Sequence, residues 1–338
     1  MRDALPGNAG CPASRSELRA LIAPYLQPDP KRALIQLLTT VPPFLAVMAV
    51  MFALLANGHL LAALLSPLAA GLLVRLFMFQ HDCGHGSFFR SRRINDALGC
   101  VLGVLTVTPY TSWRQDHAVH HASAGNLDRR GVGDISTLTT TEYAGLSRLR
   151  RFGYRLYRHP LVLFGVAPAF LFLLWQRIPI GDPRREWRTW LSVLITDAAL
   201  AILIIAMALC LGPVAVLLGW LPVILLAATA GVWLFYVQHQ FEETYWEDQS
   251  GWNFYEAALK GASYFDLPPV LHWFTANIGF HHIHHLSSRI PNYRLRECHD
   301  ENPAFHAVPR LTLWTSLRCM RLALWDQEGR RLVPFGTN

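Results

Sequence analysis

The sequence predicts an all-α integral membrane protein: four transmembrane helices in two hairpins, with re-entrant or interfacial helices and a cytosolic cap rich in histidine. Three observations carry this. The chain of 338 residues is 52% hydrophobic and only 16% charged, too apolar for an ordinary soluble enzyme and too long for a single anchor. Four apolar runs, 36–56, 59–80, 190–211 and 214–237, each supply the roughly 20 residues needed to cross a hydrocarbon layer about 30 Å thick. The 15 histidines, finally, are not scattered at random: most fall in tight groups beside or between those runs.

The N-terminal segment, 1–34, reads as cytosolic or interfacial. Ser14-Arg15-Ser16-Glu17 followed by Leu18, Leu21, Ile22 and Tyr25 has the form of a capped amphipathic helix lying on the membrane surface. With Asp3, Glu17, Asp29 and several prolines, this stretch lacks the short apolar core of a signal peptide. The membrane domain spans 35–300 and a cytosolic segment, 301–338, follows. Asn57-Gly58 turns the first hairpin and Leu211-Gly212-Pro213 the second, and neither turn carries Lys or Arg. Basic residues collect elsewhere: Arg90, Arg92 and Arg93, Arg129 and Arg130, Arg148 through Arg158, then Arg177, Arg184, Arg185 and Arg188. The positive-inside tendency therefore places both termini and every basic stretch in the cytoplasm, in a bacterium at the inner membrane.

Segments 97–110 and 161–175 are apolar but short and have arginines on both sides, so they read as re-entrant or buried. In 144–158, Leu146, Leu149, Phe152 and Leu156 recur about one turn apart among arginines, as in an interfacial helix. The net charge is +7, yet the basic residues are clustered, which fits a membrane protein's cytoplasmic face better than a nucleic-acid groove. No interleaving of aromatic and basic residues suggests a nucleic acid partner. The six cysteines, from Cys11 to Cys319, form no Cys-x-x-Cys pair and read as reduced bystanders. Two charges sit inside spans. Arg75 is close enough to the end of its run to snorkel to the cytoplasm or meet a lipid phosphate, and Asp197 is either functional or bonded to a neighbouring helix.

The histidines repeat a spacing. His81 and His85 are four apart and share one helix face. His117, His120 and His121 fall within about 100° of arc, and His281, His284 and His285 repeat that stripe, with His282 about 100° off it. His239 closes the fourth run. With four spans, all nine on-stripe imidazoles emerge on one side of the membrane. That number exceeds what one four-coordinate zinc takes and suits two first-row metal ions, for which iron is a good match to imidazole. Asp82, Asp116, Glu242 and Glu243 adjoin these positions, where carboxylates hold ligand tautomers and offset metal charge, and His282 joins them as an outer-shell group. Isolated histidines such as His59, His159 and His306 read as ordinary polar residues.

"HDCGH" at 81–85, "HAVHH" at 117–121 and "HHIHH" at 281–285, the last followed by "LSSRIPNYRL", resemble the three histidine boxes of membrane fatty acid desaturases. Their surroundings are more like the acyl-lipid omega-6 (delta-12) branch than the acyl-CoA delta-9 enzymes. The resemblance runs from about residue 35 to about 300. It implies a non-haem di-iron centre held by His81, His85, His117, His120, His121, His281, His284 and His285. His239 matches the extra histidine that the family carries after its last span. The third box also reads from His282, so the choice between His281 and His282 rests on helical phase. The implied reaction is introduction of a cis double bond into a fatty acyl chain with O2 as co-substrate.

Reduction of O2 to two waters takes four electrons, of which the acyl chain supplies two. The sequence carries no haem-binding His-Pro-Gly-Gly and no flavin or nicotinamide fingerprint. A separate donor, ferredoxin-like, is therefore expected to dock on the arginine-rich surface. An apolar tunnel must lead the chain to the centre; Trp113 is a candidate for its wall, against a reading as an interfacial belt residue. Two rivals remain at this stage. A hydroxylase or carotenoid ketolase shares the centre but not the outcome. A histidine-rich metal transporter would place its ligands at mid-membrane rather than beyond the spans.

Overall fold

The computed structural model describes residues 15–182, 184 and 186–336. Cys11, the capping role of Ser14, and Arg185 lie outside the described residues. Helix α1 (Arg15–Ile22) leads into α2 (Pro30–Leu38), which starts where Asp29 caps the backbone N–H groups of Lys31 and Arg32 and where Pro30 needs no partner. Then come α3 (Val41–Ala56), α4 (Ser66–His85), α5 (Arg92–Leu105), α6 (Tyr110–Ser123) and the short α7 (Thr140–Gly145). Next are α8 (Arg148–Arg158), α9 (Ala167–Leu173), α10 (Trp187–Leu211) and α11 (Pro213–His239). The chain closes through α12 (Phe254–Lys260), α13 (Pro269–Phe274), α14 (His281–Leu286), α15 (Asn292–Asp300) and α16 (Leu313–Cys319).

Four stretches are long and apolar enough to cross a membrane: Pro30–Ala56, Leu60–His85, Trp187–Leu211 and Pro213–His239. They form the two expected hairpins, and exposed Leu45, Val50, Ile195, Ile202 and Leu209 give them a lipid-facing belt. The protein is a membrane protein by this measure. Some strand is present where the sequence suggested only helix. Strands β1 (Leu138–Thr139), β4 (Leu322–Asp326) and β5 (Arg331–Pro334) make one small sheet, and β2 (Tyr264–Asp266) pairs with β3 (Arg310–Thr312). These strands tie the C-terminal segment to the cap.

Segment 97–110 does not span. Helix α5 enters, the chain turns at 106–109, and α6 returns, with the Tyr110 ring packed so close on Gly99 that a Cβ there would sit 2.3 Å from it. Irregular backbone at this depth needs donors from the protein. Gln80 Nε2 donates to the Thr108 carbonyl at 3.3 Å, and Arg177 Nη2 to the Val107 carbonyl at 2.7 Å. Arg177 is held there by Asp197, 2.6 Å from Nη1. The structure thus assigns Asp197 a bond to a neighbouring element, and it takes Arg177 out of the cytoplasmic basic set. Replacing Arg177 by Met is expected to destabilise the detergent-solubilised protein by about 3 kcal/mol, because Asp197 then loses its counter-charge. Adding Asp197→Leu should recover part of that in thermal unfolding, though not the carbonyl bond.

Segment 161–175 is bent by 59° from α8 and packs along α11, so it is no straight continuation of that helix. Pro168 has no N–H for the Phe164 carbonyl, and the Thr229 hydroxyl of α11 donates to it instead at 2.8 Å. On α8 itself, Leu149, Phe152 and Leu156 are exposed among arginines, as an interfacial helix requires.

Two expectations are corrected. Helix α1 does not lie on the membrane surface: Leu18, Ile22 and Tyr25 are buried against Phe280, Ile283, Leu295 and Phe305 of the cap. The apolar stripe that suggested lipid is satisfied by protein. Arg75 does not snorkel. It is buried, its Nε donates to Thr40 Oγ1 at 3.0 Å and its Nη1 to the Trp273 carbonyl, and the guanidinium lies 4.2 Å from the Trp273 ring centre.

Candidate metal centre

All nine on-stripe histidines converge at the end of the bundle opposite the two hairpin turns. His81 and His85 occupy the last turn of α4, which Gly86 ends with a left-handed φ of 70°. His117, His120 and His121 come from α6, His239 is the last residue of α11, and His281, His284 and His285 come from the six-residue α14. The structure sorts them into two groups. Donor atoms of His81, His85, His117, His121 and His284 lie within 4.8 Å of one another, as do those of His120, His239 and His285. His281 joins the second group, its Nε2 2.9 Å from His239 Nε2. The groups meet where His121 and His285 stack with centroids 4.3 Å apart. The α6 and α14 stripes therefore divide between two neighbouring points, while His81 and His85 both serve the first.

Partners on the outer nitrogens set the inner ones. His239 Nδ1 donates to the Gly261 carbonyl at 3.0 Å, which leaves a lone pair on Nε2. His120 Nδ1 pairs with Asp134, so its Nε2 also carries a lone pair. These two lone-pair nitrogens face each other at 3.2 Å. Two facing lone pairs need a proton or a metal ion between or beside them, and with five and three imidazole donors gathered at two points the set fits bound metal. His85 Nε2 and His285 Nε2 are buried and find no hydrogen-bond partner, consistent with the same need. Burial first, then neighbouring imidazoles, holds His117, His121, His281, His284 and His285 well below the ordinary histidine range. They are neutral at pH 7, the form that ligates.

Of the carboxylates expected beside the ligands, one is there. Asp82 Oδ1 is 3.3 Å from His81 Nδ1, and its Oδ2 accepts from both the backbone N and Nδ2 of Asn292 at 2.8 and 2.9 Å. Asn292 in turn accepts from Gln36 at 2.7 Å, so α2, α15 and α4 jointly hold that ring. Asp116 is exposed and bonds no imidazole, and Glu242 lies at the surface with Arg331 at 3.5 Å. Glu243 is exposed too. The turn after α11 aims both glutamates outward. The carboxylate on the second group is Asp134, from a loop thirteen residues beyond His121 in sequence. No periodicity pointed to it; only the folding of that loop over α6 does.

His282 points away from both groups. Its Nε2 is 3.2 Å from His299 Nδ1, in a patch with Tyr264 and His306. Helical phase sets it apart from His281, and its ring contacts are with His299 and Tyr264. His272, stacked on Phe280 with centroids 5.1 Å apart, is also in this cap core. Burial lowers His272 and His299 to about 4. The unfolded chain takes up these protons from about pH 6.5 downward and the folded chain only near 4, so stability rises with pH across that window. With roughly half lost to solvent screening, the two rings contribute about 3 kcal/mol above pH 6.5 that disappears as pH falls to 4. Melting curves at pH 7 and 5 should show the loss, and His299→Gln should flatten it.

Beside the first group a cavity of about 380 Å³ runs down between α4, α9 and α11. His81, His117 and His281 form its upper end, and Val74, Phe77, Phe172 and Ile224 are among its apolar walls. Trp113 lines it as well, stacked on His117 with centroids 4.6 Å apart and planes 18° apart, and edge-on to Phe77. The belt reading of Trp113 thus gives way to the tunnel wall.

The fold and site define a polytopic membrane protein with a bipartite imidazole centre at the head of an apolar tunnel. The family model for fatty acid desaturases matches residues 57–315. A fatty acid desaturase of Bacillus subtilis is 41% identical over 321 residues, covering 95% of this chain and 91% of that one. An sn-1 acyl-lipid omega-3 desaturase (ferredoxin) of Synechocystis is 30% identical over 231 residues, 65% of this chain and 61% of the relative. An sn-1 oleoyl-lipid 12-desaturase of Anabaena variabilis is 25% identical over 246 residues, 66% and 63%. The chain belongs to the fatty acid desaturase family. It is a membrane oxidoreductase of acyl lipids, and members of the family generally work with a di-iron centre and O2.

Proposed function

We propose that the chain introduces a double bond into a membrane acyl lipid, with two iron ions held by the nine imidazoles. His81, His85, His117, His121 and His284 take one ion; His120, His239 and His285, with His281, take the other. The observation that carries this is the pair of lone-pair nitrogens on His120 and His239, 3.2 Å apart with their outer nitrogens already committed. When bound, the iron pair activates O2 as the oxidant for an unactivated C–H bond, which no side-chain base can break.

The protein's part is binding, orientation and exclusion of water. The acyl chain enters the tunnel methyl end first, since its polar carrier cannot be buried among Val74, Phe172 and Ile224. Trp113 and Phe77 hold it under His81 and His117. The balance is –CH2–CH2– plus O2, two electrons and two protons, giving –CH=CH– and two waters. The two electrons come from a separate donor, ferredoxin-like, meeting the arginine-rich face. Both termini and the centre lie on the cytoplasmic side of a bacterial inner membrane, as the neutral hairpin turns and basic flanks argue. Expression in a host lacking the product, with fatty acid profiling and iron analysis, tests the reading. A new unsaturated fatty acid supports it. A hydroxylated or keto product, or purified active protein without iron, would overturn it.

A further inference from the structure

The α11 wall of the tunnel presents Ile224, Ala227, Ala228, Gly231, Val232 and Phe235, one helix face by their spacing. Its ends are bulky and its middle is small. Gly71 and Gly219 are glycines required by helix packing: a Cβ at either would lie 2.9 Å from Phe274 or 2.5 Å from Phe52. Gly231 is different. A Cβ there would meet nothing within 4 Å, although the residue faces the cavity. Glycine weakens a helix interior relative to alanine, and here no neighbouring helix asks for it.

Resting on the desaturase reading above, we propose that Gly231 is a specificity-determining residue: its missing side chain opens the tunnel to the distal part of a long acyl chain. Gly231 lies eight residues before His239, about 12 Å along the axis. With C–C bonds of about 1.5 Å an extended chain advances about 1.3 Å per methylene, so roughly nine carbons fit between the reacting centre and Gly231. Ile224 lies a further 10 Å or about seven residues down and lines the cavity too. A side chain at 231 would therefore stop the methyl end near its ninth carbon beyond the reacting bond. Longer chains are then refused, or bind less deeply, with the double bond moved toward the methyl end.

The test is Gly231→Ala, Gly231→Val and Gly231→Phe in the full-length protein, expressed in a host whose phospholipids carry 14-, 16- and 18-carbon acyl chains. Product double-bond positions, iron per protein and melting temperature are read together. The expected effect grows with side-chain size and is smallest for Ala. For Val and Phe, the ratio of 18- to 14-carbon product falls at least about tenfold, or the double bond shifts toward the methyl end, with iron and melting temperature retained. Folded Val and Phe variants with unchanged ratio and position overturn the proposal, as does equal loss at every chain length. If Phe does not fold, Val decides; if even Ala does not fold, the space at 231 is not open and the proposal fails. A wild-type protein that makes no unsaturated product would instead count against the desaturase reading itself.

Discussion

Replacing His284 by alanine is expected, on the di-iron reading proposed above, to abolish product and to remove one of two bound irons. His284 is the third box's contribution to the five-histidine group: its ring centre is 4.5 Å from that of His81, and its Nε2 is 3.0 Å from His121 Nε2. It is buried, so water is a poor substitute for the lost nitrogen. Loss of outer-shell partners already costs about 10- to 100-fold in metal affinity, and loss of a ligand should exceed this. Iron per purified protein should fall from two toward one, and unsaturated product by more than about 100-fold. His282→Ala is the contrast: that ring faces His299, so iron should stay at two, with product retained and some stability lost. Equal loss of iron in both variants would refute the division of α14 into ligand and non-ligand faces.

The second large effect is expected at Asp134. Its Oδ1 pairs with His120 Nδ1, and both residues are nearly closed to solvent in their side chains, at 7% and 1% exposed. Asn in its place keeps the shape but removes the charge and presents either oxygen or an amide donor to the ring. Presented as a donor, the amide would push the His120 proton to Nε2, where it would block the lone pair. Affinity for the ion held by His120, His239 and His285 should fall about 10- to 100-fold, and that of the five-histidine group much less. Iron titration should therefore resolve one weakened and one intact site, with loss of the spectroscopic signature of a coupled pair. Two sites weakened alike would show that Asp134 acts on the fold rather than on His120.

The histidine boxes were legible because helical geometry converts spacing into direction. His81 and His85 share a face of α4, and His281 separates from His282 by phase, with no tertiary knowledge needed. The spans were legible because lipid demands a long apolar run, and segment 97–110 was readable as re-entrant from the arginines around it. Other features depend on elements distant in sequence. Asp134 reaches His120 only through a loop folded over α6. Trp113 is equally plausible by composition in a belt or in a tunnel. The apolar stripe of α1 fits lipid and protein alike, until Phe280 and Phe305 are seen to cover it.

The sequence by itself determined the membrane architecture and the imidazoles that gather at one end of the bundle, which follow from local periodicity and hydropathy, and the family, which its three histidine motifs resemble. Tertiary structure alone decided how those imidazoles divide into two groups, which carboxylate steadies His120, and where Gly231 leaves room. Each of these depends on the separation of side chains on different helices, and such separations are set by packing between elements that no local pattern encodes.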